Sequence, residues 1–401
     1  MFKYYIKIIF FQKLVFKIIY LSIIFYIIIS SLLLINNSTE NKTINTLKEI
    51  KSIEKYNKKC ESGFLIKNKI FKKCALPKIS IIAAVFNREN YIVRFLRSIQ
   101  NQFLDEIEII FIDDFSNDNS VKIMEECQKE DERIILIKHK KNKGTLISRN
   151  DGVYQSRGEY LIFPDPDDIL SNDILNYCYH MATMEKYDII RFNIYDGNKN
   201  GILNYLKSIK NQKIYQPKLS AHIFYGNGNL EQTDYSISNK FIKRDIYIKA
   251  LNSISSYYLN QNMIVYEDGL INFKLYKFAK SLFHTKKIGY YYIQNNLSIT
   301  INFKKDIERT IKNCFFYLKF IFEYTKNNKY EKNMASCIYH NVLIEISNIK
   351  YFLNITKDFK FYYEIINLYK NCKFIPNIDK RELKNITKLI KHAEKLYFNS
   401  R

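Results

Sequence analysis

Residues 158–168 read GEYLIFPDPDD, and the fold is decided by what happens inside them. Tyr160 to Phe163 is a strand-forming apolar run that stops abruptly in acid at Asp165-Pro166-Asp167-Asp168. In an open α/β sheet, ligands bind outside the carboxyl ends of the strands, so this cluster lies where chemistry is usually done. Three carboxylates within four residues repel one another unless something positive lies between them. A hard divalent cation, Mg2+ or Mn2+, meets that need through one or two carboxylates, completed by water and phosphate oxygens. An ordinary acidic turn, with Asp and Pro serving only the backbone, is the plainer alternative.

Upstream, strand and helix alternate. Lys78 to Phe86 is an apolar, β-branched run ending at Asn87, and Asn90 to Gln102 carries helical spacing through Ile92, Phe95, Leu96 and Ile99. Glu108 to Ile112 is a second buried strand, again ending in acid at Asp113-Asp114. Ser120 to Lys129 reads as a helix capped by Asp118, Asn119 or Ser120, Arg133 to Lys138 as a third strand, and Thr145 to Gln155 as a third helix. The alternation predicts an α/β fold with a mostly parallel, doubly wound sheet and two acidic strand ends facing one cleft.

Seven segments then carry a likeness in a fixed order. They are ISIIAAVFNRENYI (79–92), EIEIIFIDDFSNDNS (106–120), NKGTLISRNDG (142–152), GEYLIFPDPDD (158–168), SNKFIKRDIY (238–247), YEDGLINFKLYKFA (266–279) and YYYIQNNLSIT (290–300). In this order and spacing the chain resembles the inverting glycosyltransferases of family 2, whose fold is GT-A. The resemblance implies a nucleotide-sugar donor bound against the strand ends by Asn87, Asp113, Asp114, Arg149 and Asp165. Asp113 and Asp114 stand where carboxylates accept hydrogen bonds from base or ribose, and Asp165 resembles the residue that reaches the ribose. Asp167, with Asp168 beside it, resembles the ligand of a Mn2+ or Mg2+ ion that bridges the donor's diphosphate and stabilises the leaving group. Arg149 and Asn150 match an Arg-Asn pair that helps hold the donor; an arginine bridging sheet and helix is the structural alternative.

Inversion needs a base on the face of the sugar opposite the leaving group. Glu267-Asp268 matches the family's acidic pair, and Asp268 resembles the base that takes the acceptor hydroxyl's proton, a contribution of about 10²–10⁴-fold in rate. Acid at a helix start also favours the macrodipole without any catalytic role. Three positions depart from the pattern: Ala84 where Pro is usual, Phe86 where Tyr is usual, and Phe115 where a small residue is common. The first two bear on the pocket for the base, while every acidic residue the chemistry requires is retained.

At the N-terminus, Ile18 to Ile35 carries no charge, and extension back to Leu14 gives enough length to span a bilayer. No small-residue cleavage site follows, which favours an uncleaved anchor over a signal peptide. Lys3, Lys7, Lys13 and Lys17 precede the run, and the expectation is a single-pass membrane protein with a cytosolic N-terminus and its catalytic domain in the Golgi or endoplasmic reticulum lumen. Cys60 and Cys74 fit a disulfide in such a compartment, and unrelated thiols fit equally. Sequons at Asn36, Asn37, Asn41, Asn296, Asn354 and Asn385 are compatible with it but arise readily by chance in a chain rich in Asn.

The net charge of +23 comes from lysine spread along the whole chain, with no basic stripe interleaved with aromatics, so no nucleic-acid partner is expected. The six histidines are scattered, and core or surface roles suit them better than metal ligation. The expected organisation is a basic tail (1–13), a transmembrane anchor (14–35), a polar stem (36–77), a GT-A domain (78–300) and a helical C-terminal region (301–401). In that last region Ile307, Ile311, Cys314 and Leu318, then Ile338, Val342, Ile346, Ile349 and Leu353, then Leu383, Ile386, Ile390 and Ala393 recur at helical spacing. The expected activity is metal-dependent transfer of a sugar, from a UDP-sugar by preference, to a hydroxyl on a glycan, glycoprotein or glycolipid. A catalytically silent GT-A module that binds glycans or organises partner enzymes is the rival.

Overall fold

The computed structural model describes residues 70–197, 203–205, 211–216, 236–263, 265–293 and 307–325, with 338 and 342. Strands β1 (Ile79–Val85), β2 (Ile107–Asp113), β3 (Ile134–Lys138) and β4 (Tyr160–Ile162) lie parallel in the order β3-β2-β1-β4. Helices α1 (Ile92–Gln100), α2 (Ser120–Glu130) and α3 (Thr145–Gln155) supply the crossovers. All seven residues of β2 are buried, which is why IEIIFID is nearly continuous in apolar residues: both of its faces are covered. The register pairs Val85 with Asp113 and Asp113 with Lys138, so the three strands end level.

Beyond β4 come β5 (Ile169–Leu170), α4 (Ile174–Glu185), β6 (Ile189–Gly197), β7 (Leu203–Tyr205), β8 (Gln212–Tyr215), β9 (Lys240–Lys243), α5 (Arg244–Asn252), α6 (Ser256–Leu259), α7 (Glu267–Phe278), β10 (Ser281–Ile293) and α8 (Ile307–Thr325). The sheet continues as β4-β9-β6-β10-β5, with β7 on β6 and β8 on β10. Strand β9 runs antiparallel to both β4 and β6, whereas β10 runs parallel to β6. Thus β1 to β4, β6 and β10 share one direction and the short strands oppose it. The sheet is mixed where the sequence predicted a mostly parallel one; the four-residue β9, KFIK, is too short to show a period.

The sheet carries a core on each face. On one, Ile79, Ile81, Ala83 and Val85 meet Phe95 and Ile99 of α1 and Ile174, Leu175 and Cys178 of α4. On the other, Ile82, Ile110 and Ile112 meet Leu146 and Val153 of α3, and the same cluster runs on through α5, α7 and α8. Helix α3 lies so close that a Cβ on Gly152 would be 2.5 Å from Ile82 Cγ2 and 2.8 Å from Ile112 Cδ1.

The C-terminal periodicity is helical where it is described: Cys314 and Leu318 are buried on α8, and Ile338 and Val342 are helical and buried. The later periodic positions lie outside the described residues. Cys74 is a free thiol, and Cys60, the other half of the expected bridge, lies outside the described residues. Among the described residues no helix is long and apolar enough to cross a membrane. The longest of them, α8, is interrupted by Glu308, Arg309, Lys312, Lys319 and Glu323. The expected anchor at 14–35 lies outside the described residues.

Candidate active site

The strand ends supply the first wall. Asn87, just past β1, has φ 54° and accepts a hydrogen bond on Oδ1 from the Asn117 amide at 2.8 Å, tying the β1 end to the loop after β2. Asp113 accepts from the amides of Phe115 and Ser116, both at 3.2 Å, and so bends its own loop. Asp114 is more heavily used. Its carboxylate accepts from the Lys143 and Gly144 amides, each at 2.8 Å, and lies 2.9 Å from His139 Nδ1. The other ring nitrogen of His139 is 3.0 Å from Asp151 of α3. Asp113 and Asp114 are both buried. Phe86 and Phe115 stand exposed beside them, and Phe115 has φ 71°, a strained value for an aromatic residue.

The acidic turn supplies the second wall, and its three carboxylates differ in their main partners. Asp168 has both oxygens taken, one by the Tyr290 hydroxyl at 2.6 Å and one by the Ile293 amide at 2.8 Å, which pins the turn to β10. Asp167 has Oδ2 3.2 Å from Arg88 Nε, and its main-chain oxygen accepts from Arg94 at 2.7 Å. Asp165 accepts from Arg149 on Oδ1 at 2.8 Å, while its Oδ2 lies 3.4 Å from the Tyr290 hydroxyl that Asp168 also uses.

Arg149 joins the turn to the distant acidic pair. From α3 it donates to Asp165 Oδ1 and, at 2.5 Å, to Asp268 Oδ1 at the start of α7. The second oxygen of Asp268 accepts from the Ile237 amide at 3.0 Å. Residues 149, 165 and 268, far apart in sequence, thereby form one bridged triad. Its neighbour Asn150 accepts from the buried Tyr247 hydroxyl at 3.2 Å and anchors α5.

Burial and like charge act together on this cluster. Burial first, then the neighbouring Asp167 and Asp268, push the Asp165 carboxyl up to about 6 against the pull of Arg149. Burial and Asp268 push Glu267 up to about 7, and burial with Asp167 and Asp165 raises Asp168 well above the usual carboxylate range. Burial first, and like charge second, thus disfavour ionisation of these carboxyls, and a cation arriving among them would favour it. The site also contains a carboxyl poised near neutrality for proton transfer.

Sequence reading missed Arg88, Tyr290, His139 and the Ile237 amide. Arg88 follows the singled-out Asn87, and Tyr290 opens a quoted segment, so their places were marked without their partners. His139 carried no local signal: its partners come from strand β2 and helix α3.

Residues 80–251 match Glycosyl transferase family 2. EpsH of Bacillus subtilis (strain 168), whose own assignment as a glycosyltransferase is provisional, is 30% identical over 242 residues, covering 58% of this chain and 65% of that protein. The GalNAc(5)-diNAcBac-PP-undecaprenol beta-1,3-glucosyltransferase of Campylobacter jejuni is 24% identical over 285 residues, covering 68% of this chain and 90% of that one. The crystal structure of S. aureus TarS 1-349 has the same fold, with TM-score 0.55 at 18% identity, over 81% of this chain and 92% of that one. The chain spans slightly under two thirds of EpsH and 63% of a second Bacillus subtilis relative. Residues 80–251 are thus similar to a family 2 glycosyl transferase domain, and the fold is shared with TarS 1-349. These relatives are bacterial, and bacteria have neither Golgi nor endoplasmic reticulum. Together with the lack of a membrane-crossing helix among the described residues, this overturns the expected single-pass protein of those organelles.

Proposed function

We propose that the chain transfers a sugar, with inversion, from a nucleoside diphosphate sugar to a hydroxyl acceptor on a glycan, glycoprotein or glycolipid, and that it uses Mn2+ or Mg2+. The observation that carries the reading is the Arg149 bridge, which sets Asp268 beside the acidic strand end. A uridine diphosphate sugar is the preferred donor by family likeness, and the named substrate of the Campylobacter relative favours a lipid-linked glycan among the acceptors.

Asp268 is the base in this reading. Each of its oxygens accepts one internal hydrogen bond, from Arg149 or Ile237, and retains a lone pair for the acceptor hydroxyl. Arg149 aims the carboxylate with a planar guanidinium that stays charged. Glu267, held near neutrality, stands next to it as a second proton acceptor. Asp165 lines the donor's side of the bridge, and Asp168 fixes the turn to β10.

A divalent ion suits the residues present. Among the described residues no three His, Cys, Asp or Glu side chains converge as a ready-made cage. A hard cation held by one or two carboxylates and completed by phosphate and water does not require such a cage. Asp167, with Asp168 beside it, would hold it, and when bound it would neutralise the diphosphate leaving group.

The test is a panel of UDP-sugars offered to the purified chain, with and without Mn2+. UDP release is expected to require the metal, to fall about 10²–10⁴-fold in Asp268→Asn, and to fail in Asp167→Ala at metal concentrations that saturate the wild type. Undiminished turnover in Asp268→Asn would sink the assignment of the base.

A further inference from the structure

Helix α8 lies beyond the matched residues 80–251, yet it touches the segments that carry both halves of the site. Tyr317 of α8 is fully buried and stacks on Tyr266, with ring centroids 5.0 Å apart and planes 7° from parallel. Tyr266 immediately precedes the acidic pair and has φ 63°, a left-handed conformation that strains a bulky L-residue. Gly269 immediately follows the pair. A Cβ placed on it would lie 2.9 Å from Cε2 and Cζ of the same Tyr317 ring. The backbone on both sides of Glu267-Asp268 is therefore shaped to one side chain: a strained residue before the pair, and a missing Cβ after it. At the other end of α8, Arg309 donates to the Asn262 carbonyl at 3.1 Å and to its side chain at 2.6 Å. Asn262 in turn donates to Asn142 at 3.2 Å, in the loop whose amides Asp114 gathers.

We propose that Tyr317 is a positioning residue for the acidic pair: its ring holds Tyr266 in the left-handed conformation and so sets the direction in which Glu267 and Asp268 leave the start of α7. The inference rests on the reading of Asp268 as the base. A strained residue relaxes unless its surroundings over-determine it. The parallel stack, closed in by the bare Gly269, supplies that constraint. Relaxation at Tyr266 would turn the peptide leading into α7 and carry Asp268 away from Arg149 and the Ile237 amide. A displacement of about 1 Å at a reacting group costs on the order of 10²-fold in rate.

A core residue that merely fills space and one that fixes a conformation differ in how they are rescued. Glycine adopts positive φ without strain, so Tyr266→Gly makes the left-handed turn available without the ring that enforces it. The experiment uses the full chain and the UDP-sugar with the highest wild-type turnover. It compares Tyr317→Leu, Tyr317→Phe and the double variant Tyr317→Leu/Tyr266→Gly for kcat, donor KM, UDP binding by calorimetry and thermal melting. Tyr317→Leu is expected to lower kcat by about 10- to 100-fold while UDP affinity and donor KM stay within about threefold. Tyr317→Phe keeps the ring and should match the wild type. The double variant should recover most of the lost kcat. Wild-type kcat in Tyr317→Leu overturns the proposal, as does parallel loss of UDP binding and stability, or failure of the double variant to recover. Asp268→Asn, run alongside, separates the two levels. If it is inactive while Tyr317→Leu is unaffected, only the positioning role falls; if it is fully active, the reading of the base falls and the positioning role with it.

Discussion

Arg149 links residues that the sequence motifs leave far apart. Its pairing with Asn150 favoured gripping a donor, with bridging helix to sheet close behind. In the fold its guanidinium spans Asp165 and Asp268, a task that needs a planar, two-sided donor and not a point charge. The carboxylates around it have divergent environments. Glu267 is the one with a directly testable consequence, because its carboxyl is raised from 4.5 to about 7. The folded protein then binds a proton that the unfolded chain has released, so this group favours folding least where it must ionise. Its contribution is fully present below about pH 4.5 and is lost as pH rises through 7. Glu267→Gln, which removes the ionisation and keeps the shape, should match the wild type in melting temperature at pH 4. At pH 8 its unfolding free energy should exceed the wild type's by a few kcal/mol, most of the difference appearing between those limits. Melting curves at a series of pH values decide it; a gap that narrows as pH rises would refute the assignment.

At the scale of elements, the sequence was most readable where burial is two-sided and periodic. The third helix was predicted at Thr145 to Gln155 and is found there, and the first three strands are placed to within a residue or two. Their signal is local: β-branched runs for covered strands and a 3.6-residue spacing for helices. The same logic failed for β9 and for the reach of β10, whose register shifts between His284 and Tyr290 erase a simple alternation. The site was legible in part for the same reason. The acidic residues at strand ends announced themselves, but the partners that occupy Asp114 and Asp168 arrive from other elements, 25 to 125 residues away. Close approach between elements also depends on what is missing. Gly152 lets α3 lie flat on β1 and β2, since a Cβ there would meet Ile82 and Ile112 well inside contact distance. Gly152→Ala is expected to cost about 1–3 kcal/mol in chemical denaturation, the range for overpacking a core that cannot yield. Because Arg149 rides on the same helix, catalysis should weaken as well. A stability unchanged from wild type would show that the sheet and α3 can part without penalty.

For the whole molecule, the parallel strands separate a chemical end from a structural one. Asp113 and the acidic turn sit at the carboxyl ends of β2 and β4, while Glu108 sits at the opening of β2 with only 2% of its surface exposed. A buried carboxylate needs partners, and Glu108 has them. Its Oε1 accepts from the Ser80 hydroxyl and the Arg157 amide, both at 2.6 Å, and its Oε2 accepts from Arg157 Nη2 at 2.9 Å. The Gly158 amide donates to the same Ser80 at 2.8 Å, so one carboxylate ties together the starts of β1, β2 and β4. This end has no catalytic candidate in any reading above, and the asymmetry yields a two-part expectation. Glu108→Ala strands the buried donors around it and should cost about 3 kcal/mol of stability. It should leave the donor KM unchanged at temperatures where the variant is folded, because the strand ends proposed to bind the donor are held by other contacts. Denaturation and donor kinetics on one preparation test both halves. A raised KM in a fully folded Glu108→Ala would mean that strain at one end of the sheet reaches the other. The division of the molecule into a stabilising floor and a reactive rim would then fail.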